Sequence, residues 1–203
     1  MCARAPSLPP EQRRQAVLDA VLPLVLEKGF LASTRELAAI ACVAEGTLFR
    51  VFESKDALVV AAARSAFRRT DHLDELAAID PGLPLDQRLE AAVRIWQDVA
   101  RRMVQVFGVL HAAPEGERPH DPRTLIDHTV VARAEELLAD LLRPDADRLR
   151  LPVPEVIRVL GSLVLASVHP AQIGLPLTPE GLVDLLLHGV LTDPAELAHP
   201  ITP

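Results

Sequence analysis

Between Ser33 and Leu58 the chain reads STRELAAIACVAEGTLFRVFESKDAL. Ser33 or Thr34 is placed to cap a short helix over roughly 35–41, because a side-chain oxygen there satisfies a free backbone N–H of the first turn. Cys42, Val43 and Ala44 form a three-residue turn, and a second short helix follows over 45–52. Ser54 caps the next helix, with Asp56 in its first turn near the positive end of the dipole. The second helix is two turns long, yet carries Gly46, Thr47 and Arg50 on one side and Val43, Leu48, Val51 and Phe52 as anchors on the other. A core helix is not built this way. A helix that lies against something outside the protein is.

The rest of the chain also reads as helix. Apolar residues make up 49% of 203, aromatics only 3%, and Tyr is absent. The Ala, Leu and Val palette favours helix over strand. No segment alternates strictly at period two, so the expected class is all-α with eight or nine helices and short loops. The first helix is expected over 10–28, opening on Pro and Glu and stopped by Gly29, with Pro23 kinking it or breaking the boundary. The helix after Ser54 is expected to run on to about residue 77. IDPGLP at 79–84 is a clear break. Further helices are expected over 85–112, about 123–142, 154–168 and 179–191, with the tail TDPAELAHPITP loosely ordered.

Composition narrows the class. The net charge is −7, but the first 70 residues hold ten basic and seven acidic side chains, net +3, against 11 and 21 in the remainder, net −10. That asymmetry suits an N-terminal part that tolerates phosphates. Cys2 and Cys42 are too few for a disulfide framework or a zinc site, and a reducing cytoplasm is the expected location. The N-terminus has no apolar signal-type run, and no stretch of 18 apolar residues exists to span a membrane.

Two short helices joined by a tight turn are helix-turn-helix geometry, whose second helix enters the DNA major groove. Ala44, Glu45, Thr47 and Arg50 are left facing outward. Thr47 can meet a phosphate or a thymine methyl, Arg50 a guanine or a phosphate, and Lys55 with the helix start at Ser54 another phosphate. Gly46 lets the helix approach a backbone closely.

The stretch GFLASTRELAAIACVAEGTLFRVFESKDAL, residues 29–58, resembles the N-terminal DNA-binding domain of TetR-type transcriptional regulators, above all in VAEGTLFRVFESKDAL. The resemblance covers the first 60 to 70 residues. It implies a helix-turn-helix domain over 1–60, followed by a helical effector-binding and dimerisation domain over 61–203. It also implies a duplex operator as partner, with DNA-facing candidates Thr34, Arg35, Ala44, Glu45, Thr47, Leu48, Phe49, Arg50 and Lys55. The departures are specific. Cys42 stands where the family has a turn glycine, at a cost of roughly 1 kcal/mol if φ is positive there. The loop before the first motif helix is one residue short. Phe49 replaces a tyrosine whose hydroxyl meets a phosphate in relatives, and Ala44 replaces a serine; both contacts drop out.

In the second part, PEVIRVLGSLVLASV and GLVDLLLHGV are apolar nearly all round. A helix of that kind needs neighbours on every side, so residues 154–168 and 179–191 are expected to form half of a four-helix homodimer interface, with Gly161 and Ser162 allowing close crossing. An ordinary core hairpin is the other reading. Dimerisation would present two recognition helices to a palindromic site. Trp96, Val99, Met103 and Phe107 form an apolar stripe that is either core packing or the wall of a pocket for a small apolar effector, with His111, His128, Leu163 and Ser167 as further candidate lining. No metal or cofactor site is expected. GxSxG, HExxH, a Walker A loop and CxxC are absent, so no catalytic residue is assigned. The expectation is a ligand-responsive repressor. A helical binding protein that has lost DNA binding is the alternative.

Overall fold

A computed structural model describes residues 9–168 and 177–188. Among them no strand occurs. The α-helices are α1 (Pro10–Lys28), α2 (Thr34–Ile40), α3 (Glu45–Val51), α4 (Lys55–Ser65), α5 (Asp71–Ala77), α6 (Leu85–His111), α7 (His128–Leu142), α8 (Val153–Val168) and α9 (Pro179–His188). The chain forms two compact units. The first takes in residues up to Asp71 together with Arg101–Val131; the second takes in His72–Ala100 and the chain from Ala132 onward. The units are therefore not contiguous in sequence, and α6 contributes residues 85–100 to one and the remainder to the other.

The first unit is built on α1. Val17, Leu18, Val21, Leu22 and Val25 recur at helical spacing and are buried against Leu58, Val59, Ala62 and Ala63 of α4, Leu37 and Ala38 of α2, and Val106, Val109 and Leu110. Each fully buried leucine or valine contributes roughly 1.5–3 kcal/mol over an exposed one, which is what holds helices of seven residues in place. α1 runs unbroken across Pro23. It ends on Gly29 at φ 53°, whose N–H donates to the Val25 carbonyl.

The expected long helix after Ser54 is two helices. α4 stops at Ser65, a 3-10 turn covers Ala66–Arg68, and Arg69 is extended at φ −76°, ψ 132°. The buried Ser65 hydroxyl donates to the Ala62 carbonyl at 2.7 Å, a back-bond that competes with the helix ladder. Arg69 then pairs with Asp71 at 2.9 Å, and Asp71 also lies 3.6 Å from Arg102. α7 likewise starts later than expected. Asp121 caps a 3-10 turn over Pro122–Leu125, and Asp127 accepts from the Thr129 N–H at 2.8 Å to begin the helix proper. The pair of Asx caps divides what reads in sequence as one run.

The second unit packs Leu89, Ala92 and Val93 of α6 against Leu137, Leu138, Leu141 and Leu142 of α7, Val156, Ile157, Leu160 and Val164 of α8, and Leu182 and Val183 of α9. Arg88, 3% exposed, donates to the Leu141 carbonyl at 2.5 Å and pairs with Asp145, fastening the start of α6 to the end of α7. Hydrogen bonds from Arg148, then the Arg88 guanidinium, hold the Asp145 carboxyl below its usual range. α8 is not buried all round: one face is core, and the other presents Arg158, Val159, Ser162 and Leu165, with Leu165 55% exposed. Residues 189–191 of the expected last helix, and the tail, lie outside the described residues.

Candidate nucleic-acid interface

Ser33, not Thr34, caps α2. The Glu36 N–H donates to the Ser33 hydroxyl at 3.3 Å, and the Ser33 N–H donates back to the Glu36 carboxylate at 2.8 Å. This reciprocal box satisfies two donors the first turn leaves open. Glu36 also pairs with Lys28 at 2.6 Å, tying α2 to the end of α1. The Lys28 ammonium, then the Ser33 N–H and hydroxyl, lower the Glu36 carboxyl to about 2.

The turn that follows requires a left-handed residue, and Cys42 supplies it at φ 54°. The Val43 N–H donates to the Ala38 carbonyl at 3.0 Å and the Cys42 N–H to the Ala39 carbonyl at 3.2 Å. This is a Schellman motif with cysteine in the glycine position. Val43 folds back onto the first unit's core, as the residue after the left-handed position does in such motifs. The turn fixes the path from α2 into α3.

α3 is anchored by Leu48, 2% exposed, and by Phe52 just beyond its end, 4% exposed. The Arg14 guanidinium lies 5.0 Å from the centre of the Phe52 ring. Ala44, Glu45, Gly46, Phe49 and Arg50 are exposed on the other face, and Thr47 is half-buried. A β-carbon at Gly46 would have no atom within 4 Å. Nothing inside the protein therefore requires glycine there, although glycine in a helix costs about 1 kcal/mol relative to alanine.

Two of the DNA-facing candidates have partners inside the protein. Leu48 is core, so its role is to hold α3. Lys55 donates from its ammonium to the Phe30 carbonyl at 2.6 Å, bracing the 3-10 turn at Gly29–Leu31 against the start of α4. Thr34 is half-buried and Arg35 exposed in the first turn of α2.

The candidate effector residues divide between the units. Met103, Phe107, His111 and His128 fall in the first; Trp96, Val99, Leu163 and Ser167 fall in the second. Phe107 meets Phe67 edge-on, ring centres 5.6 Å apart. His111 and His128 are exposed, and His111 Nδ1 lies 2.7 Å from the Phe107 carbonyl of its own helix. Ser167 is engaged: its hydroxyl donates to the Val164 carbonyl and accepts from the buried Gln97 amide, which also donates to the Leu177 carbonyl. Gln97 and Arg88 carry no signal in the sequence because their partners lie 53 to 80 residues away. Gly161, expected at a chain–chain crossing, has Trp96 of its own chain against it. Among the described residues no group of three or more His, Cys, Asp or Glu side chains is placed to hold a metal, and no single helix is long and apolar enough to cross a membrane.

A capped helix, a left-handed turn and a second helix whose outer face is free define a helix-turn-helix protein. Residues 17–62 match the family model described as "Bacterial regulatory proteins, tetR family". A curated relative, the HTH-type transcriptional repressor KstR of Mycolicibacterium smegmatis, is 33% identical over 116 residues, which span 54% of this chain and 57% of the relative. The TetR regulator SCO0520 of Streptomyces coelicolor superposes with a TM-score of 0.55 at 26% identity, over 87% of this chain and 97% of that one. LfrR of Mycobacterium smegmatis, solved in complex with proflavine, shares the fold with a TM-score of 0.52 at 23% identity, over 90% and 98%. Residues 17–62 thus carry a helix-turn-helix segment of the tetR type, and the chain spans a little over half the length of the curated relative it matches.

Proposed function

We propose that the chain is a ligand-responsive repressor. It binds a palindromic duplex operator as a homodimer and leaves it when a small apolar effector binds. The reading assigns DNA contact to residues 1–60, and effector binding and dimerisation to residues 61–203, in the cytoplasm. The observation that carries it is Gly46, a helix-weakening residue that nothing in the protein explains, on the free face of a helix held from behind by Leu48 and Phe52. Close approach to a DNA backbone explains it. Arg50 and Thr47 are then the groove-reading side chains, with Glu45, Ala44 and Phe49 along the same face and Thr34 and Arg35 toward a neighbouring phosphate.

Dimerisation is supported by Val159 and Leu165, which stand 40% and 55% exposed on the outer face of α8. A second copy of α8 and α9 would cover them. The apolar character of the effector rests on the Trp96 and Met103 stripe of α6 and on relatives of this fold solved with proflavine and with stearoyl-CoA.

The test is selection from a random duplex pool with the purified protein, followed by Arg50→Ala on the enriched sequence. An enriched palindrome whose affinity falls by roughly tenfold or more in the variant, as expected when a base or phosphate interaction of 1–3 kcal/mol is removed, supports the reading. No enrichment at low salt by a folded dimer would leave a helical ligand-binding protein instead.

A further inference from the structure

We infer that a cleft between α1 and α4, walled by Arg14, Arg64 and Arg68, binds a phosphate group; its placement rests on the DNA-binding reading above. The cleft has a volume of about 270 Å³, with Ala57 and Val60 among its apolar lining and Glu117 as its one carboxylate. Three guanidinium groups thus share one cleft with a single acid. Among the described residues none of the three is neutralised by an ion pair. Arg14 lies over the Phe52 ring at 5.0 Å, and Arg68 donates to the Gln15 amide oxygen at 3.1 Å. Elsewhere in the same unit exposed cations do find carboxylates, as Lys28 does Glu36 and Arg69 does Asp71. A cluster of uncompensated arginines repels itself, and an arriving anion removes that repulsion. The planar forks suit the oxygens of a phosphate better than a monoatomic ion.

The position of the cleft says where the phosphate comes from. Phe52, under Arg14, directly follows α3, and Ala57 lies in the first turn of α4. The cleft therefore begins where the recognition helix stops. DNA lying on α3 carries a phosphate row along each wall of the groove being read, so a backbone phosphate flanking the base contacts is the expected occupant. A free phosphoryl compound would meet the same chemistry, and the experiment separates the two sources.

Arg64 and Arg68 are exposed, and the bond from Arg68 to Gln15 is at the surface, so the double variant R64A/R68A is expected to keep a thermal midpoint near that of the wild type. Affinity is measured between 50 and 200 mM KCl, as about the range where phosphate contacts dominate, on the enriched duplex with flanks and on one trimmed to the contacted bases. In parallel, sodium pyrophosphate is titrated into both proteins without DNA by calorimetry. The expected result is a log–log salt slope flatter by about 0.9 for each phosphate the variant no longer neutralises, on the flanked duplex only. An unchanged slope with pyrophosphate bound by the wild type and not by the variant would make the occupant a free phosphoryl ligand, with the cleft still a phosphate site. No change in either arm overturns the inference. A wild type that binds no duplex defeats the DNA-binding reading, and the pyrophosphate arm alone then decides the cleft.

Discussion

Trp96 occupies the space that a side chain at residue 161 would fill: its ring atoms Cη2 and Cζ2 lie 3.0 Å from the position of a β-carbon on Gly161. The indole of α6 is seated on bare backbone of α8. Gly161→Ala is therefore expected to displace the ring and cost about 1–3 kcal/mol of overpacking, against about 1 kcal/mol regained in helix propensity. Gly108→Ala, also within a helix but with nothing within 4 Å of the new β-carbon, should gain the propensity term alone. Thermal midpoints of the two variants should move in opposite directions. Trp96 is the one tryptophan of the chain, so its emission reports the displacement directly. Equal stabilisation of both variants would show that the Trp96 seat is loose.

Cys42 is held at φ 54° by the two backbone bonds of the turn, where a residue with a β-carbon costs about 1–2 kcal/mol over glycine. Part of that is offset because glycine also gains freedom in the unfolded chain. Cys42→Gly should match or modestly exceed the native thermal midpoint. Cys42→Val should fall well below it, since a β-branched residue is strained most in this region. Both are measured with a reductant present throughout. A valine variant as stable as the native protein would mean that the turn relaxes away from positive φ.

The Glu36 carboxyl is lowered to about 2 from 4.5 by the Lys28 ammonium first and the Ser33 N–H and hydroxyl next. A group depressed on folding contributes stability that is complete above its unfolded value and is lost as pH falls through its folded one. The capping box should therefore begin to weaken below about pH 4.5 and be gone near pH 2. Glu36→Gln, which keeps the shape and loses the titration, should flatten the acid limb of stability over that window and leave the neutral region shallow. Thermal midpoints from pH 2 to 7 check this. An acid limb of unchanged steepness would place the titration elsewhere.

The motif is legible in the sequence because its signals are local: a capping serine, a three-residue turn, an amphipathic α3. The one departure that matters structurally, cysteine for glycine, can be read as a strain because the turn geometry demands positive φ whatever residue stands there. The break after Ser65 is not legible, because AAARSAFRRTDHLDEL keeps helical composition straight through it. What stops α4 is a serine bonding back to Ala62 and an arginine turned toward Asp71, and neither contact is a pattern in sequence. Lys55 has a partner that is hidden for the same reason. A lysine after a capping serine reads as a phosphate ligand, and only the fold brings the Phe30 carbonyl within 2.6 Å of it. The effector candidates on α6 read as one stripe, but that helix contributes to two units, so Met103 and Phe107 pack on one core and Trp96 on the other.

Gly46 separates stability from function at a single atom. A β-carbon there meets nothing in the protein, and alanine is better than glycine in a helix by about 1 kcal/mol. Gly46→Ala should therefore raise the thermal midpoint of the isolated protein. If α3 is pressed against a DNA backbone at this residue, the same methyl group must push the helix off. A displacement of that kind affects every contact made by Thr47 and Arg50 together, so affinity for the enriched duplex should fall by more than tenfold, a loss above about 1.4 kcal/mol. The two measurements, midpoint and affinity, are made on one preparation. A stabilised variant that binds DNA as tightly as the wild type would show that Gly46 faces open solvent in the complex too, and the glycine would then have no account in either state.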